Sequence, residues 1–228
     1  MIYVLTYNFP HKKTQDLLFK LKLKDYDVTV IASPWEAKKI HKPLLPHRFF
    51  KAEDIYPKDL CIKLGFNYQE INSMNELPTD GYILIGGAGI IPKESINSKK
   101  IINSHPGYLP MTRGLDSLKW AIFKGEPIGV TTHAISNEVD LGWLINRKIL
   151  PLYHWDTFHS VAYKQYKLEV EMLSNSIEDL KNCKLESLSE QDLYEPQQYI
   201  GEVNKRMPHK YELKLLKKFD SMIENYND

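Results

Sequence analysis

The apolar positions change period along the chain, and each change marks an element. Residues 2–7 (IYVLTY) alternate β-formers and stop at Asn8, Phe9 and Pro10, where the chain must turn. Leu17, Leu18, Leu21 and Leu23 follow at roughly helical spacing, and residues 27–32 (DVTVIA) are an apolar run short enough for a buried strand. Strand, helix and strand at these separations form a βαβ unit, which implies a parallel sheet with helices on its faces and ligands at the strands' carboxyl ends. Pro34, Pro43, Pro46, Pro57 and Pro78 punctuate the next stretch, with one helical segment over residues 57–64. Residues 81–85 read as another buried strand, ending in Gly86, Gly87, Ala88 and Gly89. Beyond Ile101, Ile102 and Asn103, the pattern predicts a helix over 115–124, a strand over 128–135 and a long amphipathic helix over 157–181. The remainder is polar and aromatic, with weak strand signals and a Lys-rich helix over 210–224. The expected fold is α/β, Rossmann-like, with a mostly parallel sheet, helices on both faces and a small C-terminal extension. A catalytic domain over residues 1–182 and an extension over 183–228 are the expected divisions.

Composition narrows the function classes. With 228 residues, 43% of them hydrophobic, the chain suits one large domain with a small appendage at roughly 100–200 residues per domain. No run approaches the ~18 apolar residues of a membrane span, and the first residues lack the basic and apolar regions of a secretory leader. A cytoplasmic protein with no membrane partner is expected. Thirty Lys+Arg against 29 Asp+Glu leave +1, so no net field attracts nucleic acid. Cys61 and Cys183 lie far apart and form no CxxC pair, so both read as ordinary thiols. His11, His41, His47, His154, His159 and His209 show no metal-ligand spacing, and no metal is expected.

The informative stretch runs from Asn103 through Ser104, His105, Pro106, Gly107, Tyr108, Leu109, Pro110, Met111, Thr112 and Arg113 to Gly114. Asn103 and His105 are two apart at a strand's carboxyl end, so they share a face. After the next strand, Asn137, Glu138, Val139, Asp140, Leu141 and Gly142 place a carboxylate on a loop. An amide, an imidazole and a carboxylate at one sheet edge can stabilise an oxyanion, move a proton and orient the proton mover. Taken singly, Asn103 also reads as a turn former, His105 as a satisfied loop histidine and Asp140 as a cap.

Together with the segment 117–122 and Gly129 to His133 (GVTTH), this set resembles the formyltransferases that use 10-formyltetrahydrofolate. That family includes glycinamide ribonucleotide transformylase, methionyl-tRNA formyltransferase and the sugar-nucleotide N-formyltransferases. The resemblance is strong over about residues 80–150 and implies Asn103, His105 and Asp140 as the catalytic residues. By the same resemblance the formyl donor 10-formyltetrahydrofolate lies against Gly86, Gly87, Ala88, Gly89, Ile90 and Ile91, with Ser136, Asn137, Glu138 and Val139 completing its slot. His133 takes a supporting role. The glycine run has a plainer reading as a strand-ending turn, and it lacks the G-x-G-x-x-G spacing of a dinucleotide site.

Departures from the family bear on the acceptor amine. The ribonucleotide transformylase holds its substrate phosphate on a glycine-rich loop after the first strand, whereas here that loop is Tyr7, Asn8, Phe9, Pro10, His11, Lys12 and Lys13. A tRNA enzyme needs a further domain of ~100 residues, and the chain beyond Ile149 is too short for one. The expectation is therefore a sugar-nucleotide N-formyltransferase acting on an amino-dideoxy sugar such as dTDP-4-amino-4,6-dideoxyglucose, for O-antigen and lipopolysaccharide synthesis. Asn8, Tyr108, Arg113, Tyr199, Lys205 and Arg206 are the expected acceptor contacts, the aromatic tail (Tyr194, Tyr199, Tyr211) offering rings to a nucleotide base. Members of this type pair through C-terminal strands, which implies a homodimer with residues 197–203 as such a strand. Other readings are a small-amine formyltransferase, a formyltetrahydrofolate hydrolase and an inactive binding module.

Overall fold

The computed structural model describes residues 1–35, 42–48, 51–96, 100–182, 185–188 and 200–224. The chain opens with β1 (Ile2–Tyr7), α1 (Lys12–Leu23) and β2 (Val28–Ser33), the βαβ unit that the apolar pattern predicts. α2 (Pro57–Leu64), β3 (Asn67–Glu70), β4 (Tyr82–Ile85) and β5 (Ile101–His105) follow. The second half holds β6 (Arg113–Gly114), α3 (Ser117–Lys124), β7 (Gly129–Ile135), β8 (Gly142–Ile149) and α4 (Phe158–Asn182). It ends with β9 (Glu186–Ser187), β10 (Val203–Asn204) and α5 (His209–Ile223). Pro57 at the first helical position and Gly65, left-handed at φ 70°, delimit α2 where the sequence places it.

One sheet runs in the order β3, β2, β1, β4, β5, β7, β8, β9. Strands β3 to β5 in that order are parallel, while β7, β8 and β9 each reverse direction. Alternation along the strands sorts the core into two layers. Val4, Val30, Leu84 and Ile102 pack under α1, α2 and α4 through Leu17, Leu21, Leu60, Val170 and Leu173. Tyr3, Leu5, Ile31, Ile83 and Ile101 face the other way, against Ile71, Leu77 and Ile91, around two single-turn 3₁₀ helices. Sequence reading does not find β3 or β8, because Asn67–Glu70 is a mostly exposed, polar edge strand and β8 carries no clean alternation.

The C-terminal helix is part of this body. α5 buries Leu215, Phe219 and Ile223 against Leu118, Ala121 and Ile122 of α3. A fully buried ion pair, Lys119 with Glu212, fixes their register, and Glu212 also accepts the Leu44 N–H at 2.9 Å. Of the strand expected over 197–203, residues 197–199 lie outside the described residues, and Val203–Asn204 pairs within the chain, Val203 with Arg113 and Asn204 with Gly114. None of the helices among the described residues is long and apolar enough to cross a membrane.

Candidate active site

β5 ends at the carboxyl edge of the parallel strands and carries Asn103 and His105 on the face that Ile101 shares. Asn103 stands opposite His133 of β7 in the antiparallel register. Its side-chain amide makes no hydrogen bond among the described residues. His105 is buried. Its Nε2 lies 2.9 Å from the Thr112 carbonyl and 3.2 Å from Ser117 Oγ. A ring nitrogen facing a carbonyl must carry hydrogen, which leaves Nδ1 as the nitrogen free to exchange a proton. Nδ1 is 3.4 Å from Asp140 Oδ1. The other Asp140 oxygen accepts the Gly114 N–H at 2.7 Å.

The Asp140 loop is held by uncommon backbone. Asp140 itself has φ 52°, and Gly142 has φ 122°. A Cβ on Gly142 would lie 2.1 Å from the Ala134 carbonyl oxygen, so no other residue fits there. Arg113 clamps the same loop, with Nε and Nη2 donating to the Val139 carbonyl at 3.0 and 2.8 Å and Nη1 to the Gly201 carbonyl at 3.3 Å. This corrects the expectation that Arg113 binds the acceptor: the guanidinium is buried and already occupied by backbone. We expect Arg113→Gln to lower kcat about 10- to 100-fold by misplacing Asp140. Steady-state kinetics showing wild-type kcat would remove Arg113 from the positioning of that carboxylate.

His133 is fully buried, with Nδ1 donating to the Leu141 carbonyl at 3.0 Å and Nε2 lacking a partner among the described residues. Burial lowers its pKa to about 4, against the opposing pull of Asp140. His11, beside Thr14 at 3.1 Å, is lowered to about 4 by burial and by the Lys13 and Arg48 charges. Both rings stay neutral in the folded chain down to about pH 4, whereas unfolded histidine takes a proton near 6.5. The unfolded state binds more protons across that window, so stability present above about pH 6.5 falls as pH drops towards 4. Thermal melts of the His11→Gln, His133→Gln double variant are expected to show a shallower acid decline, and an equally steep one would contradict this.

The remaining expected contacts divide. Gly86 and Gly87 both donate their N–H groups to the Leu5 carbonyl, at 3.0 and 3.1 Å, and a Cβ there would meet Thr14, or His11 and Tyr7. Their small size serves the packing of α1 on β4, and their N–H groups are taken by the chain itself. Ile91 is core, and Ala88 packs against the same cluster. Gly89 faces open space and Ile90 is 94% exposed. Residues Ser136, Asn137, Glu138 and Val139 form the open loop leading to Asp140. Asn8 is a brace, its Oδ1 accepting the Trp35 N–H at 2.9 Å and its N–H donating to the Ser33 carbonyl at 2.8 Å. Tyr108 lies under the Arg147 guanidinium at 4.3 Å. Lys205 is exposed, and Arg206 approaches Asp116 at 3.9 Å. Tyr194 and Tyr199 lie outside the described residues. Tyr211 packs between Trp120 and Phe123, at 5.8 and 5.1 Å, because α5 turns its apolar side to α3.

Sequence reasoning misses a charged cluster beside the site. Lys13 Nζ donates to the Ser104 carbonyl at 3.1 Å and meets Glu169 at 2.8 Å, and Arg48 reaches Glu169 at 3.6 Å. Burial alone would raise the Glu169 carboxyl, but Lys13 and Arg48 hold it below its ordinary range. The available signal is Glu169 itself, a charge on the buried stripe of α4 with Val161, Ala162, Gln165 and Leu173.

An amide, an imidazole and a carboxylate at the carboxyl edge of an open α/β sheet have the chemistry to stabilise an oxyanion and move a proton. The formyl transferase family matches residues 12–177, and the chain belongs to it. It is 27% identical over 170 residues to a methionyl-tRNA formyltransferase of Prochlorococcus marinus, covering 72% of this chain and 52% of that protein. It is 28% identical over 91 residues to a dTDP-4-amino-4,6-dideoxyglucose formyltransferase of Mycobacterium bovis, covering 40% and 39%. The chain thus spans about half the length of these relatives or less. The fold is shared with the formyltransferase PseJ of Anoxybacillus kamchatkensis, solved with a UDP-linked formamido sugar and tetrahydrofolate, at TM-score 0.57 and 20% identity, over 98% of this chain and 95% of that one.

Proposed function

We propose that the chain is an N-formyltransferase that moves the formyl group of 10-formyltetrahydrofolate to the amine of a nucleotide-linked amino-dideoxy sugar. The observation that carries the chemistry is His105 Nδ1 facing Asp140 at 3.4 Å, two residues from an unengaged Asn103. The folate substrate supplies an activated formyl carbon. The open Gly89–Ile90 edge and the loop 136–139 flank this centre and suit a flat ring. Attack by the amine forms the new N–C bond and places negative charge on the formyl oxygen, where the Asn103 amide donates. The amine loses its proton to His105 Nδ1, with Asp140 balancing the imidazolium, and the proton is returned to the departing folate nitrogen as the old C–N bond breaks.

The acceptor assignment is supported by the loop after β1, which has no glycine cradle for a terminal phosphate and is backed by Lys13 and Arg48. Such a product feeds cell-surface polysaccharide synthesis, and the enzyme works as a homodimer in the cytoplasm. The test is a panel of nucleotide-linked amino sugars, glycinamide ribonucleotide and aminoacyl-tRNA, each with 10-formyltetrahydrofolate, read by mass spectrometry. Transfer to the nucleotide-linked sugars alone is expected. Transfer only to the ribonucleotide, or release of formate without an acceptor, overturns the assignment.

A further inference from the structure

The tail tyrosines expected to meet a nucleotide base are packed on α3 or lie outside the described residues, yet the site edge carries a different aromatic surface. Phe9 and Trp35 follow β1 and β2 and stack on one another, ring centres 5.6 Å apart and 18° from parallel. Tyr7 meets the edge of Trp35 at 4.8 Å, and Tyr56 meets Phe9 at 6.0 Å. Phe9 and Trp35 are 43% and 42% exposed. Neighbouring aromatic rings normally hide their faces, since each can bury roughly 150–250 Å². An open cluster beside a ligand site therefore marks a contact surface. It is also braced, by the Asn8 hydrogen bonds to Trp35 and Ser33.

Position gives the surface its role. β2 and β5 are separated by β1 and β4, so Trp35 lies about 14 Å along the edge from Asn103, at ~4.8 Å per strand. Lys13, which follows β1 and is tied to the Ser104 carbonyl of β5, and Arg48 are both turned on Glu169. Two cations against one carboxylate leave a net positive charge. The neighbouring His11 adds none, being held neutral. The edge thus offers Asn103 on β5, a cluster whose half-exposed cation is Arg48, and a flat apolar surface after β1 and β2. That set matches a ligand with an amine at one end, a diphosphate in the middle and a heterocyclic base at the other.

We propose that the Phe9–Trp35 stack is the platform for the base of the acceptor nucleotide, with Trp35 as a specificity-determining residue. This rests on the sugar-nucleotide reading above and adds the residues that recognise the nucleotide. Base stacking tolerates any planar heterocycle. The platform therefore distinguishes a nucleotide-linked amine from a small amine, and other groups choose the base.

Two measurements on the full chain test it. Calorimetric titration with thymidine or uridine diphosphate, without sugar, is expected to show Kd weakened about 5- to 150-fold in Trp35→Ala, the range for loss of one base–aromatic stack. Trp35→Phe should retain most of the affinity, and inorganic diphosphate should bind both variants as it binds wild type. In turnover, Trp35→Ala should raise KM for the nucleotide sugar by a similar factor with kcat and KM for the folate unchanged. Equal nucleotide affinity in wild type and Trp35→Ala sinks the platform while leaving the formyl transfer in place. Failure of the wild-type enzyme to formylate any nucleotide-linked amine sinks the parent reading instead. A loss of diphosphate affinity in Trp35→Ala matching the nucleotide loss would show Trp35 shaping the cationic cluster and would also overturn the platform.

Discussion

His105→Ala is expected to lower kcat by about three orders of magnitude, within the ~10²–10⁴ range for a positioned general acid–base group. The imidazole sits where its loss cannot be covered by a neighbour. His133, the other histidine of the paired strands, has Nδ1 committed to the Leu141 carbonyl and is kept neutral by burial. His11 lies beyond Lys13 and is likewise held neutral. Water cannot replace His105 well, because the site's donor geometry is set by Thr112 and Ser117 on one side and Asp140 on the other. The measurement is single-turnover formyl transfer across pH, with melting temperature as a control for folding. A variant within tenfold of wild type at every pH would show that proton transfer runs elsewhere.

Asn103→Ala comes next, with an expected loss of about 10²–10³ in kcat, the effect of deleting one oxyanion donor. The cost to folding is small, since the Asn103 amide has no partner among the described residues to lose. The loss should fall on kcat and leave the KM values near wild type, because the charge that Asn103 meets exists only as the tetrahedral carbon forms. A rise in KM with unchanged kcat would instead make Asn103 a ground-state binding residue. The pairing across to His133 holds Asn103 in register, so the two measurements probe one rigid unit of the sheet.

The pattern of apolar residues locates β1, α1, β2, α2, β4, β5, α3, β7, α4 and α5, since each buries a periodic face or run. It passes over β3, β8 and the two-residue strands, whose pairing depends on distant partners and not on their own periodicity. Asn103, His105 and Asp140 are legible because they lie in short segments whose order and spacing survive in linear form. Arg113 is misjudged for the opposite reason. A cation beside a site reads as a ligand for phosphate until the fold shows its three nitrogens on the Val139 and Gly201 carbonyls. Glycine at 86 and 87 signals close approach in the sequence, and the fold shows that the chain's own Thr14, His11 and Tyr7 come close there.

By itself, then, the sequence determined the α/β class, the strand that bears Asn103 and His105 and the loop that bears Asp140, because these follow from local periodicity and short-range spacing. Only the tertiary structure decided which ring nitrogen of His105 is free, what Arg113 holds, and that Lys13, Arg48 and Glu169, up to 156 positions apart in the chain, form one cluster. It likewise brought Phe9 and Trp35 together as an exposed stacked pair. Those outcomes depend on strand order in the sheet and on which faces remain open once the helices dock, and neither is encoded in the spacing of neighbouring residues.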